Sequence, residues 1–379
     1  LYIHEMPMLA DYDGTPMVTD IMSDEDILNL AEVLRERDEG FIQITQARGD
    51  IKTDLAFLEK LAETARRPVL HNVIVAARKD PKVHRRSLDW LERCRAKNLP
   101  IYGQTGTHRT GFAFTLEHWN LYDASPAWRE MTTGSKTEKL SKMKNPALRE
   151  AIKRETEEAD RKLQVIQAGV GGPIPGLIVQ TANDQSELEK YIGRSVGQIA
   201  EAESKDPIDV MLDLSLAGDL NIEFLGPDRG FNAEHTAEMI NDSDFTVPGA
   251  SDGGAHTKFF TGGAFTTDFL RWLVRDEKLI SLEEAHYRLS ALPAHAAGFH
   301  DRGVLREGAA ADVVVYDLDG LDIEPNWIGE ITHDFPGGEW RRIQRAKGYH
   351  AILVNGVQTF EDGECTGETP SASSHFQCP

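Results

Sequence analysis

The chain is poor in cysteine. Three in 379 residues, Cys94, Cys365 and Cys378, are widely spaced and odd in number. They form no Cys-x-x-Cys pair, which excludes the common redox and cysteine-rich zinc motifs, and they offer no disulfide framework. A reducing cytoplasm fits that usage. No run of 18 apolar residues occurs, so no transmembrane helix is expected. Basic charge is also short: 41 Lys and Arg stand against 62 Asp and Glu, a net charge of −21. Phosphate binding needs concentrated Lys and Arg, so a nucleic-acid partner is excluded. None of the thirteen histidines forms a His-x-His pair. The start, Leu-Tyr-Ile-His-Glu-Met, lacks an initiator Met and a signal-peptide pattern, and reads as a processed or truncated end.

What is present is a globular composition with a strand–helix rhythm. Ser23 precedes Ile27, Leu30, Ala31 and Leu34, the spacing of one helix face. Strands are expected at 41–46, 69–75 and 100–104, with helices at 54–65 and about 83–97 between them. That alternation predicts a parallel sheet with helices outside. Residues 105–145 break the rhythm with Trp119, Trp128 and many charges, as a substrate-covering insertion does. Barrel-type alternation is expected to return at helix 146–166 and at strands 176–180, 222–225 and 244–247. From residue 300, short strands at 312–316 and 351–354 and the turn pairs Asn355-Gly356 and Asp362-Gly363 mark a smaller β-rich unit.

The most informative stretch is residues 247–256, Val-Pro-Gly-Ala-Ser-Asp-Gly-Gly-Ala-His. A short apolar approach through Phe245 and Val247 ends in a carboxylate, Asp252. Gly253 and Gly254 follow, and glycine lets a backbone approach a ligand closely. A carboxylate leaving a strand before such a turn is how a parallel α/β barrel presents a catalytic acid or base. An isolated Ser-Asp-Gly also suits a plain turn. The sequel at 281–317 adds Ser-Leu-Glu-Glu-Ala-His, Leu-Pro-Ala-His-Ala-Ala-Gly-Phe and Asp-Arg-Gly-Val-Leu-Arg-Glu-Gly-Ala-Ala-Ala-Asp-Val-Val-Val-Tyr-Asp.

Taken together, these motifs resemble the amidohydrolase superfamily, within it the N-acyl-D-amino-acid deacylase (D-aminoacylase) subgroup. The resemblance implies an α/β fold, a (β/α)8 TIM-type barrel with a small β-rich domain. The barrel is expected over residues 1–299, interrupted at 105–145, and the β-rich domain over 300–379. It also implies one or two divalent ions, zinc or another metal, at the strand ends. The family's ligands are a first-strand His-x-His, a bridging group, one His each from the fifth and sixth strands, and an eighth-strand Asp. Asp252 matches that Asp, as metal ligand and catalytic proton shuttle. His71, on the strand counted as fifth, and His108, four residues beyond the next strand, are the further candidate ligands. Asn72 is the alternative inward residue beside His71. His256, Gly253, Gly254 and Arg109 are candidate substrate contacts. The missing His-x-His implies first strands upstream of Leu1, or a subgroup that has lost the motif.

The implied reaction is hydrolysis of a linear amide, an N-acyl-(D-)amino acid, by metal-activated water. The expected partner is that small-molecule substrate, with no nucleic acid and no membrane. Homo-oligomer formation through an open sheet edge is a further expectation. Two other readings stand beside it: a cyclic-amide hydrolase of the hydantoinase or dihydroorotase kind, and a non-catalytic homologue without a metal site. Asp312 is expected to serve structure, because it leads into a small-domain strand.

Overall fold

The computed structural model describes residues 1–6, 15–76, 82–107, 109–118, 122, 125–161, 173–226, 231–249, 251, 257–259, 262–325 and 328–370. It opens with β1 (Tyr2–Glu5), β2 (Ile42–Gln46), β3 (Val69–Ile74) and β4 (Ile101–Gly106), paired parallel in chain order. Helices Asp24–Arg37, Ile51–Ala65 and Lys82–Ala96 connect them. The Ser23 hydroxyl accepts from the Asp26 amide while the Asp26 carboxylate accepts from the Ser23 amide, a capping box. The second helix starts at Ile51 rather than Asp54. Asp50 caps it through the Lys52 amide, and Asp54 is buried against Arg48. Ile3, Ile42, Ile44, Val69 and Ile101 pack outward onto Ile27, Leu58, Leu61, Trp90 and Leu91 of those helices.

Beyond β4 the chain leaves the parallel sheet. β5 (Ala113–Phe114), β6 (Ile178–Val179) and β7 (Phe224–Leu225) form a separate antiparallel sheet in the order β5-β7-β6. Helices Pro126–Thr132, Lys136–Met143, Pro146–Arg161, Val196–Glu203 and Pro207–Ala217 surround it. Phe112, Phe114, Trp128, Met131, Ile199, Met211 and Phe224 share its own hydrophobic core. The strands expected near 178 and 224 therefore exist but are not barrel staves. Periodicity marks a short apolar run as a strand without telling which sheet it joins. The parallel sheet resumes after helix Ala233–Asn241 with β8 (Thr246–Gly249), which pairs with β4. Among the described residues the parallel sheet has five strands, β1-β2-β3-β4-β8, open at both edges.

Helix Phe265–Phe269 runs on as a π-helical segment, Leu270–Asp276. Ser281 caps the next helix by accepting from the Glu284 amide at 3.1 Å. Eight short strands follow: β9 (Val313–Tyr316), β10 (Asp322–Glu324), β11 (Glu330–Thr332), β12 (Arg341–Ile343), β13 (Arg345–Lys347), β14 (Tyr349–Val354), β15 (Val357–Glu361) and β16 (Glu364–Cys365). Four of them make the antiparallel sheet β16-β15-β14-β9. Asn355-Gly356 and Asp362-Gly363 turn the hairpins with positive φ at both residues, the geometry those pairs favour. Asp312 serves structure as expected: its carboxylate accepts from the Asn355 amide at 2.8 Å and from Arg302 at 2.7 Å. Among the described residues, no helix is long and apolar enough to cross a membrane.

Candidate active site

Parallel pairing brings the carboxyl ends of all five strands to one rim. Side chains alternate between two faces of the sheet. One register row runs Ile44–His71–Gly103–Thr246, and its neighbour runs His4–Thr45–Asn72–Gln104–Val247. The first row faces the helices: a Cβ at Gly103 would press on Leu91, and the Thr246 hydroxyl donates to the Met239 carbonyl of helix Ala233–Asn241. The second row faces the inner side. There the Asn72 amide donates to the Thr45 hydroxyl at 3.0 Å, and Gln43 donates to the Gln104 side-chain carbonyl at 2.8 Å. Deeper on this face Tyr102 and Val247 pack against Leu292 and Ala296.

His71 lies in the helix-facing row, which departs from the metal-ligand expectation. Its ring meets Trp90 edge-on at 5.6 Å between centroids. Its Nδ1 has no hydrogen-bond partner among the described residues, and burial pushes the imidazole down to about 4. Strand alternation gives the inward position to Asn72. The strand count shifts as well. With the strand before Asp252 as the eighth, β4 and β3 stand one and two places before it, so His71 falls on the sixth rather than the fifth. His4, which the sequence reading passed over, shares the inner row with Thr45.

Arg109, expected as a substrate contact, is paired within the chain. Asp268 accepts its main-chain N–H at 2.6 Å, its Nη2 at 2.8 Å and its Nε at 3.3 Å. The guanidinium also lies 4.9 Å from the centre of the Trp272 ring. Asp268 is 159 positions away in the chain, so sequence proximity gave no warning of it. The usable signal was a lone charge inside the otherwise uncharged Phe-Thr-Thr-Asp-Phe-Leu. Asp252, Gly253, Gly254, His256 and His108 lie outside the described residues. Their flanks do not: Gly249 ends β8, Thr107 and Arg109 bracket His108, and Thr257–Phe259 follow His256. Among the described residues, no three His, Cys, Asp or Glu side chains converge to hold a metal ion.

A sequence profile of the Amidohydrolase family matches residues 53–360, most of the chain and including the Asp252 motif. The chain belongs to the amidohydrolase family. It is 34% identical over 173 residues to N-acyl-D-aspartate deacylase of Alcaligenes xylosoxydans xylosoxydans, covering 44% of this chain and 32% of that protein. It is 38% identical over 98 residues to N-acyl-D-glutamate deacylase of the same organism, covering 26% and 17%. A solved D-aminoacylase structure, described for the functional role of its binuclear metal centre, matches with a TM-score of 0.52 at 16% identity. That match covers 92% of this chain and 59% of D-aminoacylase. The fold of this amidohydrolase is therefore the barrel-plus-β-domain fold anticipated from its motifs. The chain spans about a third or less of these two curated relatives' length.

The long segment between β4 and β8 has its own aromatic core. Trp128 and Phe112–Phe114 belong to the segment's own core, with Trp128 stacked on Tyr122 at 5.0 Å. Trp119 lies outside the described residues. Trp128 is thus part of a packed hydrophobic cluster.

Proposed function

We propose that this chain carries the catalytic carboxylate of an amide hydrolase acting on linear N-acyl-D-amino acids. The observation that carries the reading is the family match running through the Asp252 motif, joined to relatives named for N-acyl-D-aspartate and N-acyl-D-glutamate. Hydrolysis adds water across the amide: the water oxygen bonds to the carbonyl carbon, the C–N bond breaks, and a proton must reach the departing nitrogen. A carboxylate that takes the proton from water and returns it to that nitrogen serves both halves. Asp252 is assigned that part, and His256 a contact to the carbonyl oxygen.

A divalent cation, zinc in first place, belongs to the same reading, since metal polarises the carbonyl and acidifies bound water. The described side chains do not fit it. Apart from the His4 imidazole, the inner row offers the neutral oxygens and amide nitrogens of Thr45, Asn72 and Gln104, whereas zinc takes imidazole, thiolate or carboxylate, so the row supplies one ligand of the right kind. That inner row favours a second reading, a homologue that binds an amide without turning it over. A cytoplasmic location and self-association through the open sheet edges are also part of the proposal.

The test is turnover of N-acetyl-D-aspartate and N-acetyl-D-glutamate, with the L-enantiomers and dihydroorotate as competitors, at several added divalent metals. Asp252→Asn should lower kcat by on the order of 10²–10⁴ with little change in folding. Turnover of dihydroorotate alone would shift the assignment to cyclic amides. Binding without turnover under every metal would establish the second reading.

A further inference from the structure

Arg342, on β12, is buried beside the residues that follow the Asp252 motif. Its main-chain N–H donates to the Thr257 carbonyl at 2.8 Å, and its Nε donates to the Lys258 carbonyl at 3.0 Å. Its Nη2 donates to the Glu223 carboxylate, just before β7. The Arg342 side chain is 4% exposed and that of Glu223 is 12%. Lys258 reaches back over Trp340 at 5.1 Å and pairs with Glu339 at 2.6 Å. One residue on, the Phe259 carbonyl accepts from the Ala113 amide of β5 at 3.0 Å, and the Phe259 ring enters the core around Trp128. Three consecutive residues are thus held by two units that lie far apart in the chain.

We propose that Arg342 is a positioning residue for the Asp252 loop. A guanidinium suits the task because its planar fork serves a main-chain carbonyl and a carboxylate together. A lysine ammonium is a point charge without the planar fork, so it serves the two acceptors with poorer geometry. The guanidinium holds the carbonyl of Lys258, which follows His256 by two positions and Asp252 by six, so the side chain anchors the segment on which that loop ends. Glu223 balances the buried charge, which ties the loop to the segment between β4 and β8 as well as to β12. The catalytic part of this inference rests on the reading of Asp252 given above.

The test uses the full chain and three substitutions: Arg342→Met, Arg342→Lys and Glu223→Gln. The control is Arg341→Met, which removes an exposed pair with Asp334. Amide hydrogen exchange is read for peptides covering 250–259 and, separately, for β2 and β3. In Arg342→Met, exchange over 250–259 should rise by roughly 10-fold or more while β2 and β3 stay protected. With N-acetyl-D-aspartate, kcat should fall by about 10²-fold with KM nearly constant, the usual result of a small misplacement of reacting groups. Arg342→Lys should recover part of both effects, and the control should show neither. Unchanged exchange over 250–259 overturns the proposal whatever the parent hydrolyses. So does loosening of the whole chain with kcat preserved. A loosened loop in a parent that hydrolyses no amide supports the clamp and removes the reading of Asp252 instead.

Discussion

Asp268 grips Arg109 twice, through its main-chain N–H at 2.6 Å and its guanidinium at 2.8 Å. One partner sits on the loop leaving β4, the other on the helix that follows β8. Asp268 is 3% exposed, and its next cation, Arg271, stands 3.7 Å away. Removing one member of a buried pair strands the other's charge and costs about 3–5 kcal/mol. Arg109→Ala is therefore expected to lower the urea midpoint markedly, and Arg109→Lys to restore part of it. A variant with parental stability and a raised KM would return Arg109 to the substrate.

His71 makes stability depend on pH. In the native chain burial holds the imidazole at about 4, against an ordinary value of 6.5. Between those values the unfolded chain binds a proton that the folded chain does not. The contribution is therefore complete above about pH 6.5 and falls by up to about 1.4 kcal/mol per pH unit as pH drops toward 4. Below 4 it falls no further. His71→Phe keeps a ring against Trp90 and removes the titration, so its urea midpoint should vary less than the parent's between pH 7 and pH 4.5. Parallel profiles would refute the assignment. Loss of bound metal in a folded His71→Phe would restore the ligand reading.

Four of the five parallel strands were legible because their units announce themselves locally, while β1 (Tyr2–Glu5) was not read as a strand. Ser23 and Asp50 cap helices, Asp38 and Arg66 close them in the left-handed region, and β-branched runs fill the strands. The family and the exit of β8 were legible for the same reason: Ser-Asp-Gly-Gly is contiguous. The side of β3 that His71 occupies was not, because a one-residue shift in register moves every side chain to the other face. Nor were the partners Asp268 and Arg342, which meet Arg109 and Thr257 only after long excursions of the chain. The apolar runs at 178 and 224 looked like barrel strands because local pattern does not encode pairing partner.

Trp128 is expected to matter for stability rather than for substrate choice. Its side chain is 1% exposed, stacked on Tyr122, and its helix is capped by Ser125. Trp128→Ala leaves a large void and should cost about 3–5 kcal/mol. Thermal denaturation and a panel of acyl chain lengths separate the two roles. A changed acyl-chain preference at parental stability would make Trp128 a pocket residue after all.

The inner row of β2, β3 and β4 bears on metal content. Thr45, Asn72 and Gln104 are neutral, and two of their polar atoms are already joined as Asn72 to Thr45. His71 is turned to the helices, so Asp252 and His108 are the remaining expected ligands. A catalytic zinc usually has three protein ligands, and two anchor it weakly. Residues 1–379 dialysed against metal-free buffer should therefore keep well under one zinc per chain. Added zinc should bind reversibly, and Asp252→Asn should weaken that binding further. Elemental analysis after dialysis decides the point. One tightly held ion per chain would mean that the loops carrying His108, Asp252 and His256 assemble a complete ligand set, and the outward turn of His71 would then be irrelevant to the metal.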